Sequence, residues 1–225
     1  KLWRVYKKYV DYFISPSEFL IKKCVEFGWP RKKFIHIPHP AFVPPVTHVG
    51  EDGDYVLYSG RLSEEKGLRV LLDAAKATPD IPYRIVGSGP LEAELRARIQ
   101  HEKISNVLLT GFKTGKALEH EISQARMVVV PSIWYENYPL SILEAKAAGK
   151  LVIGSSIGGI PEMLDKRFLF PAGNAKKLAE KIMHWYTVSA KELRAFGIHN
   201  RTEVERINSP ETHVNNILAL YKKLV

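Results

Sequence analysis

From about residue 54 onward the chain alternates between two hydrophobic rhythms. Short strand-like runs (DYVLYSG, PYRIVGSG, VLLTGF, ARMVVVPS, LVIGS, FLFPAG) are separated by stretches whose apolar residues recur at helical spacing, such as Leu68, Leu71, Leu72 and Ala75. The runs lack the in-and-out alternation of a half-exposed sheet. They predict six strands buried on both faces, as in a parallel sheet covered by helices. Helices are expected over EEKGLRVLLDAAKA, over PLEAELRARIQ with Pro90 at its first position, over KALEHEISQ and over PLSILEAKAAG with Gly149 closing it. IPEML and NAKKLAEKIMHWY continue the series, and everything from about Ala190 reads as helical, ending in ETHVNNILALYKKLV. The predicted fold class is α/β, a Rossmann-like parallel sheet with helices on both faces.

The first 46 residues break this rhythm. VDYFIS reads as a short buried strand, and Ser15-Pro16-Ser17 starts a helix that Gly28 and Pro30 end. FIHIPHPAFVPP then carries four prolines between Pro38 and Pro45, a density that forbids a helix and suits an extended linker. THVGEDGD follows as a polar turn. The expected division is 1–46 as the tail of a preceding domain plus linker, 47–208 as the α/β domain, and 209–225 as a closing helix.

Composition changes this picture only at the edges. The hydrophobic fraction of 45% and charged fraction of 25% are ordinary for a globular chain. Cys24 is the only cysteine, which excludes a disulfide framework and points to a reducing, cytoplasmic setting. The net charge of +9 is uneven, since residues 1–45 hold nine Lys and Arg against three acidic residues. One reading is a face for peripheral contact with the anionic inner membrane surface; the other is a solvated basic surface. Nucleic acid is not expected, because no recognition motif accompanies the charge.

Candidate chemistry gathers where ligands of open α/β sheets sit, beyond the carboxyl ends of the strands. GSGPLE lacks the third glycine of a dinucleotide fingerprint, Glu92 standing in its place, but Gly87 and Gly89 permit a tight turn and close approach to a ligand. GFKTGKA is one residue short of a phosphate loop and carries Ala117 for the Ser or Thr. No His spacing matches a metal site, so no metal is expected. In SGRLSEEKG, Gly60 ends a strand, Arg61 stands at the sheet edge and Lys66 lies near a helix start, two cations suited to a diphosphate or, alternatively, a solvated surface loop.

The stretch PSIWYENYPLSILEAKAAGK holds two glutamates separated by seven residues. Pro139 fits the first turn of a helix, whose free N–H groups around Tyr138 to Ser141 would point out of the sheet edge toward phosphate. Glu136 lies in the loop before that turn, and Glu144 lies inside the helix between Leu143 and Ala145. A carboxylate there accepts two hydrogen bonds from the vicinal hydroxyls of a sugar. The alternative is that Glu144 pairs with Lys146 or Lys150 on the helix face.

The order SGRLSEEKGL, IVGSGPL, LLTGF and PSIWYENYPLSILEAKAAGKLVIGSSIGGIPEML, running from about Asp54 to Gly173, resembles the donor-binding C-terminal domain of retaining GT-B glycosyltransferases of family 4. Glu136 and Glu144 fit that family's E-x7-E motif. The resemblance implies that the chain is the C-terminal half of a GT-B fold. It implies a sugar donor linked to a nucleoside diphosphate (UDP or GDP), no cofactor, and transfer with retained configuration and no metal. Arg61 and Lys66 would hold the leaving diphosphate and Glu136 the donor sugar, these three being the catalytic candidates. Gly60, Gly87, Gly89 and Pro90 would shape the pocket wall, and Gly111 and Phe112 would border the base. Asn137, Tyr138, Pro139, Leu140 and Ser141 would meet sugar and phosphate, and Glu144 the ribose. The acceptor, a carbohydrate or lipid-linked sugar, would be met by an N-terminal domain largely absent from this chain, which alone is expected to transfer little. A non-catalytic nucleotide-sugar-binding module, or one subunit of a split enzyme, is the alternative. Two departures stand out: Asn137-Tyr138-Pro139 where the family often has Gly-Phe-Gly, and His39-Pro40 where its linker has Asn-Pro.

Overall fold

Two parallel sheets form in the computed structural model, which describes residues 2–43 and 53–224. The division expected at residue 46 and most of the turn expected at THVGEDGD fall outside these residues. The smaller sheet pairs β1 (Phe13–Ser15) with β2 (Phe34–His36) across helix α2 (Glu18–Glu26). Ser17 caps α2, its Oγ accepting from the Leu20 N–H at 3.1 Å. β2 lies inside the stretch expected to be linker. Phe34 is buried and stacks on Phe13 at 5.3 Å, so side-chain packing draws FIH into a strand before Pro38 removes the next donor. Helix α1 (Leu2–Tyr9) was not expected. Several basic residues of this region tie it together rather than facing water alone: Lys33 Nζ donates to the carbonyls of Lys7 and Val10, and Lys7 Nζ to that of Gly28.

The larger sheet holds the six strands that the apolar runs predict. They are β3 (Tyr55–Ser59), β4 (Tyr83–Val86), β5 (Val107–Gly111), β6 (Ala125–Val130), β7 (Leu151–Ser155) and β8 (Leu169–Phe170), in the order β5-β4-β3-β6-β7-β8 and parallel throughout. Strand order reverses between β3 and β6, which makes their carboxyl ends a switch point where such sheets leave a crevice. The helices are α3 (Leu68–Lys76), α4 (Glu92–His101), α5 (Lys116–Ser123), α6 (Leu140–Ala147), α7 (Ile160–Met163), α8 (Ala175–Tyr186), α9 (Ala190–Ile207) and α10 (Pro210–Tyr221). Two of them start later than the sequence predicts. Pro90 lies in a turn closed by the Glu92 N–H on the Gly89 carbonyl (3.1 Å), and Pro139 is the extended residue that caps α6.

The continuous apolar runs have a direct cause. Val56, Ile85, Met127 and Ile153 face a core shared with Leu68, Leu72, Leu178 and Ile182, whereas their strand neighbours Leu57, Val86, Val128 and Val152 face a second core with Ile142, Leu143, Ile160 and Val204. The central strands β3, β6 and β7 are covered on both faces, so most of their positions are apolar. After α9 the chain meets the segment that follows the smaller sheet. Asn208 Nδ2 donates to the His39 carbonyl (2.8 Å) and to the Tyr138 hydroxyl (3.0 Å), and its own carbonyl accepts the Ala41 N–H (2.8 Å). Among the described residues no helix is long and apolar enough to cross a membrane.

Leu57, fully buried on central strand β3, reports the integrity of this core. Leu57→Ala is expected to cost about 3 kcal/mol, seen as a Tm fall of roughly 6–12 °C, while truncating the half-exposed Ile198 on α9 stays within about 0.5 kcal/mol.

Candidate functional site

The carboxyl ends of β3, β4, β5 and β6 and the start of α6 enclose a cleft of about 810 Å³. Of the residues that the sequence singles out, Gly60, Arg61, Lys66, Gly87, Gly89, Pro90, Phe112, Glu136, Asn137, Tyr138, Pro139, Leu140, Ser141 and Glu144 line it. Gly111 ends β5 next to Phe112 without lining the cleft itself. Tyr58, Ser132 and Lys113 also line it and carry no motif by which sequence alone would find them, and His39 lines it too, marked in the sequence only as a departure in the linker.

The glycines of GSG have a packing role beside their place in the cleft wall. A Cβ on Gly87 would lie 1.9 Å from the Gly60 carbonyl oxygen, and one on Gly89 would lie 2.4 Å from that of Leu62. On that side the β3 loop approaches closely, held by Leu62 N–H on the Ser88 carbonyl at 2.9 Å. The same device seats the β6 loop on the β7 loop. Gly158 and Gly159 stand where a Cβ would meet the backbone of Glu136 and Asn137 at 2.4 and 1.9 Å, and the Gly159 N–H donates to the Glu136 carbonyl at 2.7 Å.

Glu136 is thus fixed at both ends. Its Oε1 accepts from Ser132 Oγ (2.7 Å) and from Lys66 Nζ (2.6 Å). Lys66, assigned from sequence to the diphosphate, and Glu136, assigned to the donor sugar, are a contact pair. Two N–H groups of the ammonium and the second carboxylate oxygen remain for other partners. Arg61 is exposed in the cleft, and among the described residues its guanidinium makes no hydrogen bond or ion pair; its backbone carbonyl is held by the Tyr58 hydroxyl at 2.7 Å. Burial first, and the nearby Glu136 and Glu65 charges second, push the Tyr58 hydroxyl well above its ordinary pKa, so it stays a neutral donor.

At the start of α6 the Ile142 N–H turns back to the Pro139 carbonyl (3.1 Å), and the N–H groups of Leu140 and Ser141 have no partner among the described residues. The first turn therefore presents two free donors and the positive end of the helix to the cleft. Asn137 is partly committed elsewhere, its Oδ1 accepting from Ser17 Oγ at 2.5 Å. Phe112 exposes its ring at 71%, which leaves a flat apolar surface at the β5 end of the cleft. Beside it Lys113 pairs with Glu121, a buried carboxylate also bound by Tyr55 and Arg84 (3.1 Å each).

Glu144 is not buried, contrary to what its neighbours imply. Leu143 and Ala145 are buried while Glu144 opens into the cleft. Lys146 turns away from it, to Glu203 (2.6 Å) and the Met163 carbonyl (2.9 Å). Open to solvent on one side and walled by protein on the others, its carboxyl is desolvated enough to raise its pKa. Among the described residues no group of three His, Cys, Asp or Glu side chains could hold a metal ion.

Comparison with known proteins adds to this geometry. A family model described as "Glycosyl transferases group 1" matches residues 44–202. The amylovoran biosynthesis glycosyltransferase AmsK of Erwinia amylovora is 32% identical over 137 residues, 55% of this chain and 34% of that one. The O-antigen chain mannosyltransferase C of Escherichia coli is 27% identical over 177 residues, 76% and 47% of the two chains. The crystal structure of Alr3699/HepE from Anabaena in complex with UDP superposes with a TM-score of 0.88 at 18% identity, over 98% of this chain and 66% of that one. The chain spans about half the length of the curated relatives that it matches over most of its own length.

The desolvated carboxyl of Glu144 has a measurable consequence. With its folded pKa raised, the unfolded chain ionises first, and stability is lost as pH climbs from the ordinary glutamate value through the raised one. Glu144→Gln should melt above the parent at pH 7, with the difference vanishing near pH 4; scanning calorimetry at both values reads it, and an equal difference at both would contradict the assignment.

Proposed function

Because the chain belongs to the glycosyl transferases group 1 family, we propose that it is the donor-binding part of an enzyme that moves a sugar from a UDP- or GDP-linked donor to a carbohydrate or lipid-linked acceptor, without a metal and with retention of configuration. The observation that carries this reading is the content of one cleft: an unpaired guanidinium, two free helix N–H groups, a lysine–glutamate pair and a second, desolvated glutamate. Relatives named as glycosyltransferases and a fold neighbour solved with UDP support it.

In this reading Arg61, the two remaining N–H groups of Lys66 and the first turn of α6 bind the diphosphate. They offset the negative charge that gathers on its oxygen as the bond to the anomeric carbon breaks. Fixed positive charge and free N–H donors supply here the stabilisation for which other transferases use a divalent cation. Glu136, with one oxygen held by Ser132 and Lys66, offers the other to a hydroxyl of the sugar. Glu144 accepts from the ribose hydroxyls, and the exposed ring of Phe112 gives the base a face to stack on. The acceptor oxygen attacks the anomeric carbon on the face from which the diphosphate leaves, and its proton passes to the departing phosphate oxygen. The acceptor itself would be bound by the part of the enzyme that precedes this chain. Residues 1–46 are the end of that preceding domain, and residues 209–225 are a helix returning to it. Through the basic face of residues 1–45 the enzyme would sit at the cytoplasmic surface of a membrane.

Titration calorimetry of the full-length enzyme separates the phosphate contact from the rest. Arg61→Ala should weaken UDP or GDP by roughly 10- to 150-fold, the loss of one charge-assisted bond, and leave the weak binding of the free nucleoside unchanged. Equal losses for nucleoside and nucleotide would remove Arg61 from the diphosphate.

A further inference from the structure

His39 stands on the linker, at the position where the sequence departs from its family pattern, and its side chain lines the donor cleft. Three contacts place it there. Its carbonyl accepts from the buried amide of Asn208 at 2.8 Å. Its ring meets that of Tyr138 edge-on at 5.9 Å, and the Tyr138 hydroxyl is held by the same Asn208 amide at 3.0 Å. The preceding carbonyl, of Pro38, is 2.8 Å from His213 Nδ1 on α10. One asparagine therefore fixes both the linker and the residue just before the α6 cap. Neither ring nitrogen of His39 has a hydrogen-bond partner among the described residues.

Resting on the donor reading above, we propose that His39 is a further donor-binding residue, whose imidazole donates a hydrogen bond to the anionic diphosphate beside the first turn of α6 and takes up a proton as the donor binds. The imidazole, with free nitrogens, meets Tyr138, the residue before the Pro139 cap of α6, and lines the same cleft as Leu140 and Ser141, whose N–H groups are unpartnered among the described residues. Burial, with the nearby His213 adding to it, lowers its pKa, so the imidazole of the free protein is neutral at physiological pH. The groups that face it are His213 from α10 and Tyr138 from the β6 loop; Arg61, Lys66, Glu136 and Glu144 line the same cleft. A diphosphate brings negative charge into this setting and raises the pKa of the ring. By linkage the complex then holds more protons than the free protein, and affinity rises as pH falls. Asn208 acts through His39 and Tyr138 as a positioning residue.

The test uses UDP-glucose and GDP-mannose, whose diphosphodiesters do not titrate in this range, so that any proton taken up belongs to the protein. Calorimetry of the full-length enzyme from about pH 8 to 5.5, in buffers of different ionisation enthalpy, should show affinity rising several-fold with uptake of a proton. In His39→Asn the pH dependence should flatten and the uptake disappear, while binding of the free nucleoside persists. His213→Asn removes the neighbour that depresses the His39 pKa and should move the midpoint of the profile upward, a shift that a purely structural histidine would not produce. A His39→Asn enzyme that keeps the parent's rise in donor affinity with falling pH and its proton uptake overturns the inference and leaves the donor site intact. Failure of the parent enzyme to bind either donor at any pH would instead overturn the reading on which it rests.

Discussion

The carboxyl edge of this sheet depends on how closely four loops can pack backbone against backbone. Gly87 lies on the Gly60 carbonyl, Gly89 on Leu62, and Gly158 and Gly159 on Glu136 and Asn137, each where a Cβ would stand 1.9 to 2.4 Å from a main-chain oxygen. Such contacts leave no room for a side chain and little for motion. Glu136 inherits that rigidity. Its carbonyl is bound by Gly159, and one carboxylate oxygen by Ser132 and Lys66. In the proposed reading a group that meets the ligand in one geometry is held by the protein before the ligand arrives, which is the condition for preorganised electrostatic stabilisation. The free groups of the cleft, Arg61 and the first amides of α6, sit on elements anchored by the same packing.

A second layer of organisation runs through Asn208. Its amide joins the His39 carbonyl to the Tyr138 hydroxyl, and its carbonyl holds Ala41, so the turn between the last two helices clamps the linker to the loop that opens α6. Ser17, the cap of α2, reaches Asn137 in the same loop, and Glu162 on α7 accepts the Glu18 N–H at 2.9 Å. The smaller sheet and the α6 loop are therefore mechanically connected from two sides.

Much of this was legible in the chain. The six strands follow from apolar runs that serve two cores at once, and fourteen of the fifteen marked residues line one cleft because ligands of such sheets collect at the carboxyl edge. What escaped was long-range. The β2 strand depends on Phe34 stacking with Phe13, which no local pattern announces. The Lys66–Glu136 pair joins residues 70 positions apart. Glu144 looked buried because its sequence neighbours are, but a helix turns each residue by about 100 degrees, and Glu144 occupies the one direction that opens into the cleft. Gly87 and Gly89 were marked for a close approach to a ligand, but their packing against the β3 loop had no signal in the sequence.

The central claim is that the cleft between the β3 loop and the start of α6 holds the diphosphate of a nucleotide sugar. Residue-resolved amide exchange on the full-length enzyme, with and without saturating UDP or GDP, tests it most directly, because the two donors at issue are backbone N–H groups that no substitution of a side chain removes. Leu140 and Ser141 should pass from rapid exchange to protection on binding, together with the segment from Gly60 to Lys66. Protection confined to other parts of the molecule, with Leu140 and Ser141 exchanging as freely as before, would contradict it.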